Sequence, residues 1–471
     1  MQNESNNQKE NKILFTYTYK VIIILLFYYC NLIAQNPIKT IGQNIPTSIK
    51  KINHISESYL EFWNSEIQKN IDNNIEHYRK ANAICHLKNI NKGTIVKVEQ
   101  INHSFLFGGN IFLFGDLKSP EKNKKYEETF GTLLNAATIA FYWKTLEPEK
   151  GKPRYEAESP YIYRRPPTDP VVAFCEKRGI NMNGHPIIYG LRKWGHPTWM
   201  PENRKEMEKI FEAHIQELAE RYKHRIQRWD VVNEPIDQPN RGLMPDDYTF
   251  KSYSWAMKYF PKSVKFNMND CDIQWGPNKH YVALVRDLID RGVRIDYTGI
   301  QMHIFNPADV TNIANGADIL TPEKNYAVLD CLSDIERPIH ISEVTIPAPD
   351  KTKEGFEIQA IIARNLYRLW FSYPQVMGIT WWNLVDESGA PGEPSFSGLY
   401  DIDMNTKPVY HVLDTLINRE WKTNLTVQSG DNGVIRFRGF KGTYKISWID
   451  KSGKEQNAEF ILEKDGDGYT G

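Results

Sequence analysis

An excess of either charge is missing from this chain: across 471 residues, 58 lysines and arginines face 58 aspartates and glutamates. That balance gives no electrostatic pull towards nucleic acid or an anionic lipid surface, so neither is expected as a partner. Cysteine is scarce, five residues in all, and none stands in a Cys-x-x-Cys spacing. A zinc site and a tight disulfide framework are therefore not indicated, and no metal is expected. Cys85, Cys175, Cys271 and Cys331 lie far apart, which leaves either long-range pairing in an oxidising compartment or separate buried thiols. Internal repeats and low-complexity tracts are absent. Aromatic residues are abundant: 12 Trp, 25 Tyr and 21 Phe can bury a large core, which excludes intrinsic disorder.

One long apolar run stands near the start. Lys9, Lys12 and Lys20 precede VIIILLFYYCNLIA, which ends at Ala34. A basic region, an apolar core and a small residue before the cut form a secretory signal, so residues 1–34 are expected to direct export to the periplasm or beyond. The run is short for a membrane span, though an uncleaved anchor is the alternative. Cys30 follows bulky Tyr28 and Tyr29, a poor fit to a lipid attachment site.

Residues 35–104 read as an N-terminal helix and β-strand segment. In YLEFWNSEIQKNIDNNIEHYRK the apolar positions Tyr59, Leu60, Trp63, Ile67, Ile71 and Ile75 recur at helical spacing, and TIVKVEQI alternates like a half-exposed strand. Residues 105–420 carry eight short apolar runs separated by helical segments. The runs are FLFGGNIF, AATIAFYW, NMNGHPII, RWDVVNEP, KFNMND, YTGIQMHI, PIHISEV and GITWWNLV. Between them, RKEMEKIFEAHIQELAERY places Met207, Ile210, Phe211, Ile215 and Leu218 on one stripe. Strands buried on both faces and alternating with helices imply a parallel sheet, and eight such units imply closure into an α/β (β/α)8 barrel. An open doubly wound sheet is the alternative, but no Gly-x-Gly-x-x-Gly turn follows the first strand. Residues 421–471 contain four short alternating runs, a small β element expected to join the early strand as an accessory module. Phe437, Phe440 and Trp448 there either bind carbohydrate or pack a small core.

In such a barrel the reactive groups belong at the C-terminal strand ends. The fourth run ends in Asn233 and Glu234, the seventh in Glu343. Two carboxyl groups approaching from opposite strands of one rim meet the requirement for cleaving a glycosidic bond: one protonates the leaving oxygen, the other attacks the anomeric carbon. Gln301 and His303, two apart on the sixth run, share a face and are expected to hydrogen-bond Glu343. His185, Asn269, Asp270, Trp382 and Asn383 lie at other strand ends, with Trp143, Tyr189, Trp194 and Trp199 in or just beyond them. A sugar needs flat apolar faces and polar groups for its hydroxyls, and these residues supply both. Each has an ordinary reading: a solvated loop carboxylate, a structural histidine, a core tryptophan. Their coincidence at one end of otherwise apolar strands favours a polysaccharide cleft, because a buried carboxylate without a task costs several kcal/mol.

With these residues in place, the stretch 105–420 resembles glycoside hydrolase family 10, the endo-β-1,4-xylanase family. WDVVNEP, GIQMHI, ISEV and WWNLVD carry the resemblance, with support from NGHPIIYG, LEPEKG and MND. It implies a retaining hydrolase acting on xylan or a related β-glycan, with Glu234 as general acid/base and Glu343 as nucleophile. Asn233 would bind the sugar 2-hydroxyl, Gln301 and His303 would support Glu343, and His185 and Trp382 would line the sugar site. A monomer without cofactor or stable membrane partner is expected. Another β-linked glycan, or a disabled binding barrel, are the alternatives. The chain departs from the family where an Asn and a Lys usually reach the sugar: those positions read Ile139 and Tyr142, while Trp143 is kept. A usual Trp-His pair reads Tyr189-Gly190, and the loop after the eighth run reads DESGAPGEPSFSG without the usual Ser-Trp. Tyr142 and Lys144 are the candidates to take over the missing contacts.

Overall fold

The computed structural model describes residues 54–236, 243–270 and 276–471. The expected export segment, residues 1–34, and Cys271 lie outside the described residues. Among those described, no helix is long and apolar enough to cross a membrane, and Cys85, Cys175 and Cys331 are free thiols.

Eight parallel strands close into a barrel: Leu106–Asn110, Ala136–Ala140, Asn181–His185, Arg228–Asn233, Lys265–Asp270, Tyr297–His303, Ile339–Thr345 and Val376–Trp381. Each pairs with the next, and the eighth pairs with the first through Gly378–Leu106 to Trp381–Gly109. Every residue of the fourth and seventh strands is buried, as expected where helices cover the outside and side chains fill the inside. The helix Arg204–Tyr222 buries Met207, Phe211, Ile215 and Leu218 completely. A two-residue strand, Ile188–Tyr189, extends the third strand and pairs with Val232–Asn233.

The N-terminal apolar stripe forms two helices, Glu57–Phe62 and Ser65–Tyr78, rather than one. Asn64 separates them: its side chain accepts from the backbone of Glu66 (3.0 Å) and Ile67 (3.1 Å), starting a new helix. The break turns Leu60 outward, whereas Tyr59 meets Asn365 of the helix Lys353–Ser372 through a 3.0 Å hydrogen bond. This segment therefore packs on the barrel.

The strand Ile95–His103 lies between Asn424–Gln428 and Gly442–Ile449, with Glu455–Leu462 outermost. Lys80–His86, a strand that the sequence reading passed over, pairs antiparallel with Val434–Phe440. Both ends of the chain thus build this module. Phe437 and Trp448 are buried in its core and Phe440 in that of the barrel, so these aromatics pack rather than present a carbohydrate platform.

The loop after the eighth strand is anchored by a buried ion pair. Asp386 accepts from Lys407 Nζ (2.8 Å) and from the backbone of Gly398 (2.7 Å), and both side chains are almost fully enclosed. Removing one partner leaves an uncompensated buried charge. Lys407→Met is expected to lower unfolding stability by about 3–5 kcal/mol in urea titration; a loss below about 1 kcal/mol would show the pair is dispensable.

Candidate active site

The fourth strand delivers its glutamate through an unusual backbone. Glu234 has φ +52°, the left-handed region that non-glycine residues seldom occupy. Its N–H donates to the carbonyl of Asn269 (2.8 Å). On the other side the Gly190 N–H donates to the Asn233 carbonyl (2.7 Å). A Cβ at position 190 would fall 2.2 Å from the Glu234 carbonyl oxygen. The departure Tyr189-Gly190 thus has a physical reason: only glycine lets this loop lie on the glutamate's backbone. The same turn brings Tyr189 into a side-chain hydrogen bond with Glu234.

Glu343 sits where the seventh strand's pairing with the sixth is irregular. It is 4% exposed and Glu234 8%. Oε1 of Glu343 accepts from Asn269 Nδ2 (2.8 Å), and Oε2 lies 3.2 Å from His303 Nε2. Asn269 Nδ2 also donates to Asn233 Oδ1 (2.7 Å), and Asn233 Nδ2 donates to Glu234 Oε1 (3.2 Å). Two asparagine amides therefore link the two carboxyl groups. Space for Asn269 comes from Gly299 on the sixth strand, where a Cβ would stand 2.7 Å from its Oδ1.

Gln301 corrects an expectation. It does not brace Glu343 with His303; its Nε2 donates to Glu234 Oε1 (2.9 Å). Asn269 and His303 already occupy the two oxygens of Glu343, so the Gln301 amide crosses to the other carboxyl. His303 does reach Glu343, and its Nδ1 meets Thr345 Oγ1 at 2.8 Å.

His185 stands behind both acids. Its Nδ1 lies 2.6 Å from Asp230 Oδ2, its Nε2 3.1 Å from the Tyr142 hydroxyl and 3.8 Å from Glu343 Oε1. Asp230 is further held by the amides of Asn183 (3.0 Å) and Asn267 (2.6 Å). Burial alone would depress the His185 pKa, but the Asp230 hydrogen bond and the charges of Glu343, Asp230 and Glu234 outweigh it and raise it. Burial would raise that of Asp230, but His185 and the two amides bring it below the usual range.

Glu234 is driven the other way. Burial, and then the negative charge of Glu343, hold its carboxyl above the ordinary glutamate range, against the opposing hydrogen bonds of Gln301 and Tyr189. One rim therefore contains a carboxyl biased towards the protonated form beside one that receives hydrogen bonds on both oxygens.

Trp382 completes this cluster, its ring edge-on to His185 (5.6 Å), His303 (6.0 Å) and Phe112 (5.3 Å). Trp143 and Trp199 are placed differently. Trp143 is 3% exposed, stacked on His214 at 3.7 Å and bonded to Glu147, and Trp199 packs edge-on to it. Both belong to the packing around the helix Arg204–Tyr222, outside the group that surrounds the carboxyls. Trp194 is exposed. Lys144 bonds the Lys193 carbonyl, so of the two candidate replacements Tyr142 is the one at the site.

Three residues of the site went unread in the sequence. Asp230 was visible as an acid inside an apolar run. Glu393, which accepts from Trp382 Nε1 (3.3 Å) and Asn383 Nδ2 (2.8 Å), lies in an irregular loop without periodicity. Phe305 is 45% exposed and stacks on His303 at 4.6 Å; a single aromatic after a strand gave no signal.

The fold and rim define a (β/α)8 barrel with paired carboxyl groups at the C-terminal mouth. The chain belongs to glycosyl hydrolase family 10, whose family model matches residues 103–415. It is 24% identical over 342 residues to endo-1,4-beta-xylanase B of Thermotoga neapolitana, covering 68% of this chain and 90% of that one. It is 26% identical over 315 residues to the anti-sigma-I factor RsgI6 of Acetivibrio thermocellus, covering 65% of this chain but 36% of that protein. Among solved structures, xylanase 10B from Thermotoga petrophila RKU-1 in complex with xylobiose superimposes with a TM-score of 0.55 at 20% identity, over 67% of this chain and 95% of that one. That last likeness concerns the fold.

The Gln301 bond lowers the Glu234 pKa, so its removal has a defined sign. In Gln301→Leu the Glu234 carboxyl is expected to titrate at higher pH than in the parent, followed by NMR of labelled glutamate carboxyls. An unchanged or lower midpoint would contradict the assigned contact.

Proposed function

We propose that this chain is a retaining, endo-acting glycoside hydrolase that cleaves β-1,4-xylosidic bonds in xylan, exported by its N-terminal segment and working as a monomer without a cofactor. The observation that carries this reading is the unequal treatment of two linked carboxyl groups. Glu234 is biased towards its protonated form, as a general acid needs, while Glu343 is oriented by donors on both oxygens, as a nucleophile needs.

In the first step Glu234 protonates the leaving glycosidic oxygen as Glu343 attacks the anomeric carbon, giving a covalent glycosyl-enzyme. Consuming the Glu343 charge removes one of the influences that hold the Glu234 pKa up. Glu234 then takes a proton from water, which attacks the same carbon and restores Glu343 with retained configuration. Asn269 serves both acids, since its amide fixes Glu343 directly and Glu234 through Asn233. The polysaccharide lies along the rim against Trp382, Tyr142 and Tyr189.

The relatives named as endo-1,4-beta-xylanases support xylan as the glycan. Tyr142 and Ile139 in place of the family's usual Lys and Asn favour keeping a second reading, another β-linked glycan cleaved by the same chemistry. Reducing-sugar release from xylan, mixed-linkage glucan and cellulose separates the two. The Glu343→Ala variant is expected to lose turnover by at least about a thousandfold. Added azide should partly restore it and yield a glycosyl azide. Near-normal hydrolysis by that variant would remove Glu343 as nucleophile.

A further inference from the structure

From residue 147 to residue 167 the chain has neither helix nor strand, a length at which a loop within a barrel usually has a task. This loop is tightly fixed. Buried Arg154 donates to the carbonyls of Thr145 (3.0 Å), Pro160 (2.7 Å) and Arg165 (2.9 Å). Asp116 accepts from the Tyr161 hydroxyl (2.6 Å) and the Arg164 backbone (2.8 Å). Arg164, at φ +59°, reaches the loop after the eighth strand, donating to Asn383 Oδ1 (3.1 Å) and the Ser388 carbonyl.

The outcome is a fixed position for Arg165. Its guanidinium stands 4.1 Å from the Tyr142 ring centre and 5.1 Å from that of Phe112. Tyr142 bonds His185, and Phe112 packs on Trp382, so the cation is one ring away from the group around both glutamates.

The two neighbouring guanidinium groups are not engaged alike. Arg164 takes Glu393 at 3.5 Å, and the oxygens of Glu393 are further engaged by Trp382, Asn383 and the Ala390 backbone. Arg165 makes no close ion pair among the described residues, although the charge of Glu393 acts on it: its Nη1 bonds the Arg164 carbonyl, and its Nε is shielded from solvent without an acceptor. Stacking on Tyr142 offsets part of the cost of desolvating a cation, but Nη2, which bonds no protein atom and is not fully shielded, remains a charged donor for an anionic oxygen.

We propose that Arg165 binds the carboxylate of an acidic sugar, so that the preferred glycan is a β-linked chain bearing uronic acid groups. This deepens the reading of the cleft as a glycan site and rests on it. The interaction is a charge-assisted hydrogen bond beside an aromatic wall, with no chemical step of its own.

Calorimetric binding to the Glu343→Ala chain tests it without turnover. The ligands are a xylo-oligosaccharide carrying one glucuronic acid and the same oligosaccharide with that carboxyl reduced to an alcohol. The acidic ligand is expected to bind at least about tenfold more tightly. Arg165→Gln, added to that chain, should bring the two affinities within about twofold, and Arg165→Lys should keep part of the difference. Equal affinities without the Arg165 change, a ratio that survives Arg165→Gln, or no binding of either ligand would each overturn the proposal. Hydrolysis of both ligands by the native chain, with equal affinities, would sink this inference and leave the proposed function standing. An affinity ratio that is present in the Glu343→Ala chain and lost with Arg165→Gln, without hydrolysis of either ligand by the native chain, would do the reverse.

Discussion

Two carboxyl groups enclosed at the same rim repel each other and have each lost water, so their placement must be enforced by the surrounding donors. Asn269 does most of this. One amide group donates to Glu343 and to Asn233, whose own amide donates to Glu234, and Ser342 donates to its oxygen at 2.5 Å. The room for that amide exists because Gly299 has no side chain. Without this bridge each acid would keep only its separate partners, Gln301 and Tyr189 for Glu234 and His303 for Glu343.

The same economy of donors explains the division of labour. The oxygens of Glu343 are taken by Asn269 and His303, so Gln301 serves Glu234. Asp230 keeps His185 in place from below, and His185 in turn faces Tyr142 and Glu343. Position 142 therefore carries a neutral hydroxyl within the polar network, while positive charge enters from a loop through Arg165 stacked on that same ring. A changed wall around intact acids is what the sequence departures at Tyr142 and Gly190 amount to in three dimensions.

Much of this is legible in the sequence. The eight strands stood out because strands covered on both faces read as apolar runs, and polar residues interrupting those runs at one end marked the rim. Glu234, Glu343, His185, Asn269 and His303 were found that way. Partner choice was not legible: Gln301 and His303 share a face, yet they serve different acids, because which acceptor is already occupied depends on neighbouring strands. Trp143 follows a strand end as Trp382 does, but its ring turns outward onto His214, which strand spacing cannot reveal. The break at Asn64 shows a local cap overriding an apolar period that continues across it. Arg165 belongs to a loop fixed by distant contacts with Asp116 and Asn383, beyond the reach of local pattern.

The central claim is that Glu343 becomes covalently attached to the sugar while Glu234 manages the proton. A 2-deoxy-2-fluoro xylobioside with a good leaving group slows release of such an intermediate more than its formation. Mass spectrometry of the digested, inactivated protein is predicted to find the fluorosugar on the peptide containing Glu343. Attachment at Glu234, or turnover of natural substrate without any adduct forming, would contradict the account.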